Sequence, residues 1–208
     1  MTLMINRSRT KDVLEIKSDI ADVNIDGKID FNQIMNDFKY QFSRIFPTLF
    51  TADIRKNKRI NDDNFNYSIN IKEADDFLSI FLPDLKIANN TLIKGKYVGS
   101  TSNLTLEAKS SMVEYKDYKM NQFEINQIID SNSVAATYYV EKFKFNDSIF
   151  FDNVYFKSTG SGIDLLHELS WEKNTQTPSM INWHTKINDW NHSNFILDPS
   201  YFYIKNHR

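Results

Sequence analysis

The stretch Asp22–Gln33, "DVNIDGKIDFNQ", can be read as a calcium loop or as a strand, and the choice decides the fold. Asp22, Asn24 and Asp26 alternate, Gly27 follows, and Ile29 and Asp30 stand where an EF-hand or dockerin loop has them. Such a loop needs a bidentate carboxylate at its twelfth position and a helix leading in. The twelfth position here is Gln33, a neutral amide, and the preceding "DVLEIKSDIA" alternates with a strand's period. No second copy of the loop occurs. The strand reading points Val23, Ile25 and Ile29 inward and Asp22, Asn24, Asp26 and Lys28 outward, which is how a ladder of ligands arises from alternation alone. A β fold without a metal site is the expectation.

Outward from this stretch the alternation continues. Leu14, Ile16, Ser18 and Ile20 share one phase and Val23 to Phe31 the other, so a tight turn or bulge is expected at Ala21-Asp22, with strands over 13–31. "NQIMNDFKYQFSRIF" changes period and predicts a helix over 32–46, stopped by Pro47. A strand follows over 61–72, and "EADDFLSIFL" predicts a second helix over 73–82, with acidic residues early and Pro83 at its end. From 91 to 204 the chain reads as consecutive antiparallel strands: "TLIKGKYVG", "SNLTLEAKS", "SMVEYKDYK", "MNQFEINQIID", "SVAATYYVEKFKFN", "SIFFDNVYFKS", "GIDLLHELSWE", "SMINWHTKIN" and "NFILDPSYFYI". Polar Ser, Asn, Gly and Asp clusters separate them. No βαβ unit appears, which argues against dinucleotide-binding folds.

Composition narrows the function classes. A formal net charge of −2 with 25% charged residues favours neither nucleic acid nor an anionic membrane surface. Five Gly, four Pro and 14% aromatic residues suit long strands with polar turns. With no cysteine, disulfides, thiolate metal sites and cysteine nucleophiles are excluded. No segment approaches the roughly 18 apolar residues of a membrane span, and "MTLMINRSRTKD" lacks the apolar core of a secretory leader. Either a cytosolic protein or a section of a longer protein is expected, and the ending "YFYIKNHR" favours the section.

Candidate chemical sites are few. His167, His184, His192 and His207 form no HxH or HxxxH pair and fall near expected strand ends or turns, which reads as surface rather than metal. No GxSxG elbow, SxxK or P-loop occurs; "STGSG" (158–162) reads as a strand connection. No catalytic residue, cofactor or metal is expected. Trp171, Trp183 and Trp190 read as core-packing residues.

What the strands demand is cover. Leu104, Leu106 and Ala108, then Phe123 and Ile125, then Val134, Ala136, Tyr138 and Val140 each line one face of their strand. An antiparallel sheet can leave one face in water but must cover this one. Two short helices are too few for that, so the strands must close as a barrel, pack as a sandwich or curl around something apolar.

Four stretches carry a family resemblance: "SDIADVNIDGKIDF", "FLPDLKIANNTLIKGKY", "FDNVYFKSTGSG" and "LDPSYFYIKNH". In this order they resemble the TamB family of translocation and assembly module proteins, of the Bacteroidota type and related to AsmA-like proteins, over nearly the whole chain from Leu14. The resemblance implies a mainly β fold: a long curled antiparallel sheet forming an open apolar trough (a β-taco or repeating β-groove), with two short helices in its N-terminal part. It implies a periplasm-spanning, inner-membrane-anchored full-length protein working with a TamA-type Omp85 partner. The implied cargo is phospholipid, its acyl chains on the nine residues just named. No match to the family's membrane helix or partner-contacting C-terminal region is found in this sequence.

Overall fold

The computed structural model describes residues 1–7, 11–30, 36, 62–130, 133–146, 149–161, 164–172, 176, 178–187 and 192–203. Thirteen strands form one antiparallel sheet. They are β1 (Thr2–Arg7), β2 (Asp12–Lys17), β3 (Ala21–Lys28), β4 (Asn64–Ile71), β5 (Leu85–Ile87), β6 (Thr91–Val98) and β7 (Asn103–Tyr115). Then come β8 (Tyr118–Ile129), β9 (Ser133–Lys144), β10 (Phe150–Ser161), β11 (Asp164–Trp171), β12 (Ser179–Ile187) and β13 (Ser193–Leu197). Strands neighbour one another in sequence order, except that β4 pairs with β6 and β5 lies off the path against the far end of β7. β1 and β13 are opposite edges, so the sheet is open.

Local chemistry sets the turns. Ser18 accepts from the Ala21 amide through its hydroxyl at 3.0 Å and donates to the Ala21 carbonyl at 2.8 Å, closing a β2–β3 turn over residues 18–20, just before Ala21-Asp22, where it was expected and where β3 instead begins. Ile20 therefore lies in the turn, exposed, and does not extend the strand phase of Leu14 and Ile16. Lys116, at φ 55°, and Asp117 make the two-residue β7–β8 hairpin. Asp130 accepts from the Ser133 amide at 2.6 Å, and Asn146 from the Ile149 amide at 2.8 Å, at the next two hairpins.

Several expectations are corrected. Of the two expected helices, one is described, α1 (Asp75–Phe81), shorter than 73–82; the other, over 32–46, lies apart from Asn36 outside the described residues. "SNLTLEAKS" from Asn103 and "SMVEYKDYK" as far as Tyr115 are a single strand, β7, with no turn at Ser110-Ser111; the last two residues of the second stretch open β8. Ser110 is buried there, sharing a 2.7 Å hydrogen bond with the Thr91 hydroxyl and donating to the Met112 carbonyl at 2.8 Å. Residues 158–161 of "STGSG" belong to β10, not to a connection. "NFILDPSYFYI" is a strand only to Leu197, after which Tyr201 makes a lone bridge to Met180. β1, which no expectation covered, adds the outer strand.

The buried core sits at one end of the strands. Ile29, Phe65, Tyr67, Tyr97, Leu104 and Ile129 cluster there, with Ile25, Ile93 and Val134 packed against them. Phe65 and Tyr97 meet at 5.4 Å between ring centroids. Phe65 lies opposite Gly27, whose φ of +145° and lack of a side chain let the two strands close beneath the ring.

Candidate functional site

The two faces of the sheet differ completely along its middle. One cross-strand row reads Leu3, Ile16, Val23, Ile69, Ile93, Ala108, Ile125, Tyr138, Phe156, Leu169 and Ile181. Residues directly opposite in an antiparallel pair share a face, so this is an unbroken apolar line from β1 to β12. The adjacent row on the other face reads Met4, Glu15, Asn24, Ser68, Lys94, Glu107, Asn126, Thr137, Lys157, Glu168 and Asn182. After Met4 every member is polar.

The nine candidate residues all fall on the apolar face. Leu104 reaches Val134 through Ile129, Leu106 reaches Ala136 through Gln127, Ala108 reaches Tyr138 through Ile125, and Phe123 pairs with Val140. Leu104, Ala108, Ala136 and Val140 are buried, while Leu106, Phe123, Ile125, Val134 and Tyr138 are half-buried. Burial pushes the Tyr138 phenol pKa up. The side chains that overhang are the large ones, so Ala136 and Ser158 lie at the floor of the face between them.

Towards β13 the apolar face turns aromatic. Phe156 lies 5.5 Å from Tyr138, 5.8 Å from His167 and 5.7 Å from Trp183; His167 stacks on Trp183 at 4.9 Å, and Trp183 lies 5.7 Å from Phe195. His167 thus stands in the interior of β11, half-buried between rings, not at a strand end on the surface. Its Nε2 lies 3.1 Å from the Thr185 hydroxyl, its Nδ1 has no partner among the described residues, and burial holds its pKa below the ordinary value, with His184 adding to the shift. The signal was legible in principle, since His167 shares the phase of Leu165, Leu169 and Trp171. His184 also lies within its strand, on the opposite face, 2.6 Å from Asp198 through Nδ1. His192 is exposed before β13; His207 and Trp190 lie outside the described residues. Trp171 and Trp183 are half-buried on the apolar face.

The calcium-like residues stand on β3 as a strand face, not a loop. Asp22 pairs with Lys72 at 2.7 Å and Asp26 with Lys11 at 2.8 Å, while Asn24 lies opposite Glu15 and Ser68. Similar pairs, Lys94–Glu107 at 2.9 Å and Lys109–Glu124 at 2.9 Å, continue across the polar face.

Chemically, the apolar face offers continuous hydrocarbon and ring surface with two polar groups, the Gln127 amide and the His167 ring, whose buried nitrogens (Nε2 and Nδ1) find no partner among the described residues. That surface suits dispersion contact and exclusion of water. The chain matches no family model, and comparison with curated proteins and with solved structures finds no match.

Proposed function

We propose that this sheet is a non-enzymatic section of a periplasm-spanning envelope biogenesis protein, curled into an apolar trough that carries phospholipid acyl chains toward the outer membrane. The observation that carries the reading is the eleven-residue apolar row running from β1 to β12 with a polar row behind it. Exposed apolar surface on that scale marks an interaction site in a folded protein. Each methylene withdrawn from water gains about 0.8 kcal/mol, so a chain lying across several strands binds without any specific polar group. The resemblance to the TamB family supports the same reading and adds, for the full-length protein, an inner-membrane anchor and a TamA-type Omp85 partner in outer-membrane protein assembly.

The test is mass spectrometry of lipid co-purified with the folded chain from a Gram-negative host, against a soluble β protein of similar size. Near-stoichiometric phospholipid is expected, and Leu106→Asp with Phe123→Asp should abolish it. Lipid no higher than in the control would sink the proposal.

A second reading rests on the edges. Leu3, Met4 and Ile5 of β1 and Phe195, Ile196 and Leu197 of β13 are all more than half exposed, on edges that no further strand pairs among the described residues. Such edges accept an added strand, so the chain would serve as a scaffold pairing with extended protein segments. Binding of extended peptides by a lipid-free chain, blocked by proline at Ile196, would select this reading.

A further inference from the structure

Three neighbouring strands shift their alternation at the same level of the sheet. Positions on the apolar face step by two along β8 as far as Phe123 and then by three to Met120. On β9 they step by two to Val140 and then by three to Phe143, and on β10 by two to Val154 and then by three to Phe151. Gln122, Glu141 and Asn153 fall in the slip, and Gln122 and Asn153 hold left-handed backbone there, with φ of 51° and 52°. Such backbone is costly for a residue with a side chain and persists where the surrounding structure imposes it, often at a binding site.

The slip carries the apolar face past this level. Strict alternation would turn Met120, Phe143 and Phe151 onto the polar face. Instead Phe151 meets Trp171 edge-on at 5.6 Å, and Trp171 has the strand phase of Leu169, a member of the apolar row. Phe143 lies 6.5 Å from Phe151 and 6.3 Å from Tyr118 on the same side. The lysines alternate to the opposite side, where Lys142 lies over the Phe150 ring at 4.6 Å. A second apolar row results, paired directly through Ile87, Val113, Met120, Phe143 and Phe151. All five are half-buried, so this row keeps surface to offer.

We propose that a bound acyl chain lies obliquely over β8–β10 and crosses the slip, from Ile125 and Tyr138 to Phe143 and Phe151. The assignment rests on the lipid-bearing reading of the apolar face and adds the residues that hold the far part of the chain. The path covers about 16 Å along the strands and about 10 Å across them, the scale of an extended long-chain acyl group. Phe123, Val140 and Val154 stand between its ends, on the near side of the slip. An acyl chain needs unbroken apolar contact, because each methylene left in water forfeits its transfer gain. A protein partner could bridge a polar gap with its own hydrogen bonds and would not require the slip.

Delipidated full chain is equilibrated with phosphatidylcholine vesicles carrying a photoreactive diazirine either beside the acyl ester or at the acyl terminus. After irradiation the labelled residues are located by mass spectrometry. The two probes should label opposite sides of the Gln122–Asn153 level, one set around Ile125 and Tyr138, the other at Met120, Phe143 and Phe151. Phe143→Ser/Phe151→Ser should lose the second set and keep the first; the wild-type map needs no substitution and stands if that variant fails to fold. Both probes labelling the same side in wild type overturns the crossing and leaves the apolar-face reading standing. Label no higher than on a soluble β protein of similar size overturns both.

Discussion

Tyr67 and Gly95 illustrate what single residues do in this sheet. Tyr67 lies directly opposite Gly95 on the apolar face, and its ring passes over the glycine so that the hydroxyl donates to the Thr105 carbonyl on the strand beyond, at 2.8 Å. Burial raises the phenol pKa. A Cβ at position 95 would collide with the Tyr67 hydroxyl and with the Thr105 carbonyl itself, and the backbone cannot yield as a flexible side chain could. Gly95→Ala should therefore destabilise by about 2–3 kcal/mol, the range of an overpacked core, read from urea unfolding; an unchanged midpoint would mean the ring does not cross the strand. In the sequence this glycine sits inside "TLIKGKYVG" and interrupts no alternation, so its strand was legible while the aromatic covering it, 28 positions earlier, was not. His167 gives a pH signature. Its pKa is held below the ordinary 6.5, by burial first and His184 second. As pH falls, the unfolded chain takes up the proton before the folded one does, so this residue's contribution is complete above 6.5 and is lost towards the lower folded value. Melting temperature followed from pH 7.5 to 5 should fall less in His167→Phe than in wild type; parallel curves would remove His167 as the cause.

Elements were readable wherever alternation was uninterrupted and misread where polar residues interrupt it for reasons internal to the sheet. Ser110 and Ser111 look like a turn, yet Ser110 is a satisfied buried hydroxyl within β7. The same level of the sheet carries a break in the ladder. Register passes from Ser110–Phe123 to Met112–Asn121, from Phe123–Val140 to Asn121–Lys142, and from Val154–Val140 to Asp152–Lys142. Gln122 and Asn153 stand in that gap with φ of 51° and 52°, and Glu172 follows β11 with φ of 55°. Asn153 tolerates this conformation and also accepts the Tyr139 hydroxyl at 3.1 Å. In "MNQFEINQIID" the apolar positions step by three from Met120 to Phe123 and by two from there to Ile125, so a slip in the alternation marks the left-handed residue between them. Gln122→Ile raises β propensity on paper, but a β-branched residue at positive φ is strained by about 1–2 kcal/mol. Chemical denaturation should show a loss of that size, whereas Gln122→Gly should be neutral or better; a stabilised Ile variant would count against the left-handed conformation.

For the whole molecule, the alternating pattern was enough to place all nine candidate residues on one face, since one consistent register across β7, β8 and β9 sets them together. It was not enough to tell which of them would be buried, because that depends on the core cluster drawn from β4, β6, β7 and β8 and on the large side chains overhanging small ones. Nor could it locate the pocket that residues of the β7–β8 and β9–β10 turns line together, which needs two hairpin tips brought side by side. The topology also dictates how the molecule opens. Each strand is held by its immediate neighbours, the two edges never meet, and the buried residues are concentrated around Phe65, Tyr97, Leu104 and Ile129. A quasi-linear array of this kind gains stability from neighbour interfaces, so opening should proceed inward from the edges instead of all at once. Amide hydrogen exchange followed by mass spectrometry should rank β4, β6, β7 and β8 slowest and β1 and β13 fastest, with β11 and β12 between them. Uniform protection from β1 to β13 would show one cooperative unit and contradict an edge-inward order. Added phospholipid should then slow exchange along β9–β12, where apolar rings are half-exposed, more than in the already protected core; slowing confined to β1 and β13 would instead point to strands added at the edges.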